Sequence, residues 1–330
     1  MEFWLPLFFA GAMGLALLVY VILDGYDLGI GLLLPFARDE EKDLMIASIG
    51  PFWDANETWI VLGIGILLIA FPQAHGEILT AMYIPVTVML MGLILRGIAF
   101  DFRSKAVDHR KRMWNRIFAI GSLVTATSQG WMLGTYITGL EQSLVGVLFS
   151  VLIAITLPAL YILLGSAWLL IKTEGELFDK ALGWARKAIL PMGFALLLVS
   201  IATPLVSASI AAKWFSFPEG LRLLPIPLLS TAVYVSLLWL LVDQKMLRQR
   251  REWLLYAGLI TLCVLATIGL AYSILPDIII GRMTIWESAA STASLLFTFW
   301  GTAIVLPAII IYTFFVYRIF RGKASSLTYE

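Results

Sequence analysis

Four carboxylates lie in two short motifs of an otherwise apolar chain. Asp24 and Asp27 belong to the motif DGYDLGIG, and Asp54 and Glu57 belong to GPFWDANETW. The members of each pair are three residues apart, so on a continuous helix they share one face. Repulsion between like charges in a poorly solvated place favours protonation of one of them. Ionisable groups at membrane depth commonly mark ion or proton routes, so the two motifs indicate such a route.

The second motif supports two interpretations of its acids. Asp54 has polar and aromatic neighbours in the sequence, namely Asn56, Thr58, Trp53 and Trp59. Such neighbours would suit the entrance to a hydrogen-bonded proton path. Asp54 with Glu57 three residues later also approximates a capping box at a helix start. The sequence leaves both roles open for Asp54, and for Glu57 and Asp24 it favours a cap or surface position.

Arg96, in LILRGIAFDFRSK, is a further charge beside an apolar run. A buried guanidinium group needs a carboxylate partner, and Asp54, Glu57 or Asp27 could supply one. The alternative is a side chain that extends to lipid phosphate. Arg96 is therefore the candidate cation of a structural ion pair.

The chain as a whole is far more apolar than a soluble protein. Its 330 residues are 60% hydrophobic with a mean hydropathy of +0.91, against about 45–50% apolar residues in soluble domains. A net charge of +1 leaves no basic surface for nucleic acid. We therefore expect one polytopic membrane domain, residues 1–330, embedded in membrane lipid and without a nucleic-acid partner.

Apolar runs long enough to cross a bilayer core of about 30 Å occur nine times. They cover residues 3–23, 58–74, 78–95, 117–140, 142–171, 188–212, 223–242, 253–276 and 288–317. With this count, 20 of the 23 Lys and Arg residues fall on one side of the membrane. Cytoplasmic loops carry such an excess. The sequence thus predicts an all-α bundle of nine transmembrane helices, with the N-terminus outside and the C-terminus cytoplasmic, and places both acidic motifs at the cytoplasmic edge.

Residues that ligate haem or metals are scarce. His75 is predicted at the outer end of the second span and His109 in a cytoplasmic loop, so the two cannot face one iron. The single cysteine, Cys263, excludes an intrachain disulfide and a CxxC pair. We therefore expect no metal, haem or catalytic centre held by this chain. Two glycine pairs four residues apart, Gly25 with Gly29 and Gly130 with Gly134, predict close helix packing.

Several motifs, in their order along the chain, resemble subunit II of the cytochrome bd-type quinol oxidases. They are DGYDLGIG, PFWDANETW, RGIAFDFRSK, MWNR and MTIWESAAS. The nine-span layout agrees with that family, and the length is similar to its shorter members, including those called cyanide-insensitive oxidases.

The resemblance implies a complex of the bacterial inner membrane that oxidises quinol and reduces O2 to water. In that family, subunit I carries haem b and haem d, and subunit II is its haem-free partner. A structural quinone bound to subunit II and small single-span accessory subunits are further expectations. A proton route entered near the aspartate that matches Asp54 is also implied, with Asp27, Thr58 and Glu57 as candidate neighbours on the route.

Two other classes remain open from the residues alone. A secondary transporter also uses acidic residues near broken helices, but it predicts carboxylates nearer the middle of the membrane and related halves of the chain. A purely structural subunit would use its acids only as caps and ion-pair partners.

Overall fold

The computed structural model describes residues 3–324, without the side chains of Asp108 and Glu219. Its helices are α1 (Trp4–Leu33), α2 (Asp39–Ile49), α3 (Trp53–Ala70), α4 (Pro72–Ser104), α5 (Asp108–Ile137), α6 (Leu144–Lys172), α7 (Gly175–Val206), α8 (Ala208–Trp214), α9 (Glu219–Leu223), α10 (Pro225–Asp243), α11 (Trp253–Ile274) and α12 (Thr292–Ile319). A short 3₁₀ turn, Leu34–Phe36, follows α1, and a π-turn, Leu247–Arg251, precedes α11.

Within residues 3–324, eight helices are long and apolar enough to cross a membrane: α1, α3, α4, α6, α7, α10, α11 and α12. The 3₁₀ turn extends the first of these spans, and α9 extends the span formed by α10. The chain is thus a multi-pass, helical membrane protein. The remaining predicted span, 117–140, falls on α5, which is a continuous helix but is not among the eight. Since α5 carries buried Ser122, Thr125 and Gln129, it is the most polar of the long helices. Nine spans and the orientation of the termini stay predictions.

The first helix is longer than the predicted span 3–23. It continues to Leu33, so DGYDLGIG lies inside α1 and not after it. Glycines weaken an isolated helix, but here tertiary packing outweighs that cost. A Cβ atom added to Gly29 would lie 1.8 Å from the carbonyl oxygen of Tyr161, because α1 and α6 are almost in backbone contact. The motif is helical because its small residues allow this approach.

The predicted close packing of both glycine pairs is confirmed. Gly25 faces the ring of Tyr161, and Gly29 faces its backbone. On α5, a Cβ at Gly130 would lie 2.6 Å from the Cα atom of Ala154, and one at Gly134 would lie 2.5 Å from that of Ser150. Helices α1, α5 and α6 therefore form the tightly packed centre of the bundle.

A second glycine contact positions the middle of α4. A Cβ at Gly121 of α5 would lie 2.7 Å from the carbonyl oxygen of Gly92 and 3.0 Å from the backbone nitrogen of Arg96. Pro85 lies inside α4, and Met82 one turn earlier has non-helical dihedral angles, so the helix is kinked there. The part of α4 beyond the kink is thus held against α5 with Arg96 directed inward.

Helix α2 lies on one face of the bundle and is tied to its neighbours by ion pairs. Arg103 of α4 donates to Asp43 Oδ1 at 2.7 Å, and Lys180 of α7 donates to Glu41 Oε1 at 2.6 Å. The Glu41 carboxylate is partly desolvated, but hydrogen bonds from Lys180 and from the Arg38 backbone hold its pKa below the usual range. We call the face that carries α2 the α2 side.

The end of α12 is clamped to α6 on the same side. Lys172 Nζ donates to the carbonyl oxygens of Phe320 and Gly322. Lys323 Nζ donates to the Thr173 carbonyl at 3.1 Å and to Glu252 Oε1 at 3.1 Å. The segment after α12 is therefore fixed against the ends of α6 and α11.

A small hairpin on the opposite side departs from the all-α prediction. Strands β1 (Asp277–Ile279) and β2 (Met283–Thr284) pair in antiparallel fashion between α11 and α12. The Glu287 carboxylate accepts the backbone N–H of Thr284 at 2.8 Å, and this bond lowers the pKa of Glu287. The motif MTIWESAAS thus forms a capped turn that leads into α12.

Candidate functional site

The first feature of the site is an ion cluster of Asp24, Glu57 and Arg96. Arg96 Nη2 donates to Asp24 Oδ1 at 2.5 Å and to Glu57 Oε2 at 3.0 Å. The Arg96 and Asp24 side chains are 1% and 0% exposed, and that of Glu57 is 23% exposed. One guanidinium group therefore joins α1, α3 and α4.

The ion cluster differs from the sequence-based prediction in one of its members. Glu57 was among the expected partners of Arg96, but the second partner is Asp24, for which the sequence favoured a cap or surface position. That interpretation is wrong because α1 continues past Asp24 and buries it. In the described part of the chain, Asp54 and Asp27 form no ion pair with Arg96.

Several polar atoms around the ion cluster have hydrogen-bonding capacity that the described side chains and backbone do not use. They are Asp24 Oδ2, Arg96 Nε and Nη1, Ser122 Oγ and Thr125 Oγ1. Buried groups of this kind are normally satisfied, often by internal water. These unused donors and acceptors all belong to α1, α4 and α5.

The second feature is a hydroxyl network built around Asn56. Asn56 Nδ2 donates to Asp27 Oδ2 and to the Tyr26 hydroxyl, each at 2.8 Å, and Asn56 Oδ1 accepts from the Tyr317 hydroxyl at 3.0 Å. The two hydroxyl groups are 2.6 Å apart. Asp27 and Asn56 are buried, and Trp168 stacks on Tyr26. The network thus connects α1, α3 and α12.

Replacing Tyr317 with phenylalanine should lower the free energy of unfolding by about 1 kcal/mol, since it removes one hydroxyl from the network and leaves the ring packing intact. The measurement is thermal unfolding of the purified protein. Tyr312→Phe is the matched control, because Tyr312 lies on the same helix and is 61% exposed. Equal stability of the two variants would show that the Tyr317 hydroxyl contributes nothing to the free energy of unfolding.

A third set of hydrogen bonds lies deeper, around Gln129 of α5. Gln129 Nε2 donates to the Tyr20 hydroxyl at 2.6 Å, and Gln129 Oε1 accepts from the Tyr161 hydroxyl at 2.5 Å. Tyr20, Gln129 and Tyr161 were not among the predicted site residues. The available signal was the glutamine within the fourth predicted span, since a buried amide requires polar partners.

Asp54 and Thr58 lie elsewhere, on the outer face of α3. Both are exposed, and the Thr58 hydroxyl donates only to the Ala55 carbonyl, at 2.7 Å. Asp54 is not the N-cap: α3 begins at Trp53, and its N-cap residue, Phe52, forms no side-chain cap bond. The capping interpretation is therefore wrong. An apolar groove of about 390 Å³ continues along the same face, past Thr58, Val61 and Gly65 to Ile69.

The first turns of α3 therefore separate the predicted residues. Asn56 points inward to Asp27, Glu57 contacts Arg96 at the boundary, and Asp54 and Thr58 face outward. No hydrogen bond joins Asp54 to Asp27 among residues 3–324. The predicted acids thus differ in burial: Asp27 is buried, Glu57 is partly exposed and Asp54 is exposed. They do not form a single cluster.

The histidines do not fit a shared haem. His75 lies in the first turns of α4 and His109 at the start of α5, next to the other end of α4. A helix of this length separates them by about 40 Å. Residues 3–324 also contain no group of three or more His, Cys, Asp or Glu side chains arranged to hold a metal ion.

Comparisons with known proteins agree on one family. A family model described as cytochrome bd terminal oxidase subunit II matches residues 5–320. Cytochrome bd ubiquinol oxidase subunit 2 of Bacillus subtilis is 26% identical over 328 residues, with 93% of each chain covered. Cytochrome bd-I ubiquinol oxidase subunit 2 of Escherichia coli is 26% identical over 356 residues, with 94% of this chain and 93% of the relative covered.

The fold has a solved counterpart. A chain of the bd oxidase from Geobacillus thermodenitrificans superposes with a TM-score of 0.74, covering 96% of this chain and 98% of that chain, at 17% sequence identity. At this identity the likeness concerns the fold, which is the helical bundle described above.

Proposed function

The chain belongs to the cytochrome bd terminal oxidase subunit II family, and from this premise we propose that it is the haem-free subunit of a quinol oxidase in the bacterial inner membrane. Its partner is a haem-bearing subunit I, which oxidises quinol and reduces O2 to water. This chain supplies protons for that reaction from the side on which α2 lies. Family membership supports this function over solute transport.

The observation that carries the proposal is the outward position of Asp54 beside an apolar helix face. Asp54 and Thr58 are exposed, and the same face continues as the apolar groove through Val61 and Gly65. A carboxylate facing hydrocarbon is costly, so this face requires a protein partner or water. A haem-bearing subunit packed on α3 provides a dry apolar contact and a destination for a proton.

The proposed route begins at Asp54. Its carboxylate takes up a proton at the membrane edge, and Thr58, one turn further along the same face, is the next polar group. Glu57 lies between this face and the buried ion cluster, so Arg96 fixes its position through the 3.0 Å hydrogen bond. Asp27 is the second carboxyl group that we assign to the route; it lies on the inner side of α3, where its carboxylate accepts a hydrogen bond from Asn56.

Replacing Asp54 with asparagine should slow quinol-driven O2 consumption about tenfold, corresponding to about 1.4 kcal/mol of activation free energy. The amide keeps the size of the side chain but cannot take up the proton. The measurement is oxygen uptake by the purified complex, with haem absorbance and size-exclusion profile as checks of assembly.

Two variants are controls for this experiment. Asp54→Glu keeps a titratable group and should retain most of the activity. Asp101→Asn removes an exposed acid of α4 whose carboxylate forms no hydrogen bond or ion pair among the described residues, and it should be neutral. Full turnover by Asp54→Asn would remove this residue from the route.

A further inference from the structure

A cavity of about 300 Å³ lies on the α2 side, between the end of α1, the start of α2 and the first turns of α5. Leu34 and Pro35 form its apolar wall. Its polar lining consists of Asp39, Lys42, Arg112, Asn115 and Arg116. The cavity is separate from the ion cluster and from the hydroxyl network, and the proposed proton route does not use it.

The charge of this cavity is unbalanced. Asp39 is its only acid, and it already pairs with Lys42 at 2.9 Å and with Arg112 at 3.1 Å. The hydrogen bond from Lys42 lowers the pKa of Asp39, as expected for a carboxylate among cations. Arg116 is exposed and forms no ion pair with any of the side chains that the structure describes. Three cations thus surround one carboxylate, and a bound anion would balance part of their excess positive charge.

A buried amide contributes a neutral donor. Asn115 is 6% exposed, and its Oδ1 accepts from Arg103 Nε at 2.5 Å. That bond fixes the amide orientation and leaves the amide N–H groups for another acceptor. Arginine side chains hold phosphate through parallel hydrogen bonds. The donor set of the cavity is therefore matched to a phosphate oxyanion.

The surroundings favour a lipid as the source of that phosphate. Ile120 and Leu123 lie one and two turns beyond Arg116 on the same face of α5, and they are 55% and 48% exposed. Phe36, at the end of the first span, is 71% exposed. An acyl chain that follows this apolar face would bring its headgroup to Arg116. A soluble phosphate would make no use of the face.

We propose that this cavity binds the phosphate of an anionic phospholipid, with Arg116 and Arg112 as ligands and Ile120 and Leu123 along the acyl chains. Basic residues at a membrane surface attract anionic lipids. Here the buried amide and the cavity make the attraction a defined site. The proposal concerns only binding and is independent of the proposed proton route.

The test is isothermal titration calorimetry on the complete, delipidated complex. It measures the affinity for three probes. These are short-chain phosphatidylglycerol, short-chain phosphatidylcholine and inorganic phosphate. We expect phosphatidylglycerol to bind most tightly, and we expect Arg116→Gln and Arg112→Gln each to weaken it about fivefold, the loss of one basic residue near a membrane surface. The control variant is Arg110→Gln. Arg110 is exposed and lies two residues before Arg112 on α5, outside the cavity, so this variant should leave the affinity unchanged.

Each other outcome counts against the proposal. Equal binding of phosphatidylcholine would show that charge is not recognised, and equal or tighter binding of inorganic phosphate would overturn the lipid assignment. Unchanged phosphatidylglycerol affinity in Arg116→Gln would overturn the site. Haem absorbance and size-exclusion profiles of the variants verify assembly. If Arg110→Gln weakened phosphatidylglycerol binding as much as Arg116→Gln, the lipid would be attracted by the overall surface charge and not by a defined site.

Discussion

Replacement of Arg96 with methionine should lower the free energy of unfolding by about 3–5 kcal/mol, the cost of removing one partner of a buried ion pair. Asp24 is fully buried and would lose its only ion-pair partner among the described residues. Methionine fills much of the same space, so the loss of charge dominates the effect. The measurement is thermal and denaturant unfolding of the purified complex, together with the yield of assembled complex.

A double replacement separates charge from packing. Combining Arg96→Met with Asp24→Asn removes the uncompensated carboxylate, so the double variant should be more stable than Arg96→Met alone. Arg96→Lys keeps the charge and should fall between wild type and Arg96→Met, because an ammonium group is more strongly hydrated than a guanidinium group and is costlier to bury. If neutralising Asp24 restores no stability, the buried ion pair is not the reason for the loss.

Replacement of Gly29 with alanine should cost about 3 kcal/mol or more, at the upper end of overpacking effects in cores. The added methyl group would lie 1.8 Å from the Tyr161 carbonyl oxygen and 2.6 Å from its carbonyl carbon. Because these are backbone atoms, no side-chain rotation relieves the overlap, and α1 and α6 must separate. Thermal unfolding and the fraction of chain that assembles with the proposed haem-bearing partner measure the effect.

Gly14→Ala is the matched control for this prediction. Gly14 lies on the same helix, and nothing within 4 Å would meet its added Cβ atom. Alanine also has the higher helix propensity, so this variant should be as stable as wild type or slightly more so. Comparable losses in Gly14→Ala and Gly29→Ala would mean that α1 does not tolerate alanine in general, and not that it contacts α6 closely.

The apolar runs predicted most of the fold because lipid permits few alternatives. A spanning segment must satisfy its own backbone hydrogen bonds, so a run of about 20 apolar residues indicates a helix directly. Boundaries were less accurate where charge and glycine appear at a helix end. Residues 24–33 remain helical through packing against α6, which no local pattern in α1 reveals. Strands β1 and β2 were missed because they are too short to show an alternating pattern.

The site was only partly predictable, for a related reason. The sequence identified the acids and Arg96, but pairing depends on how α1, α3 and α4 are rotated about their axes. Asp54 and Glu57 are three residues apart, yet one faces outward and the other contacts Arg96. The Asn56 contact with Tyr317 joins residues 261 positions apart. Such contacts become visible only when the whole bundle is assembled.

This last contact has a consequence for biosynthesis. Tyr317 belongs to α12, the last of the described helices, whereas Asp27 and Asn56 belong to α1 and α3, which are synthesised much earlier. The Asn56 oxygen therefore lacks this hydrogen-bond donor until α12 has been made and has packed against α1 and α3. A chain that stops before α12 would lack the donor permanently.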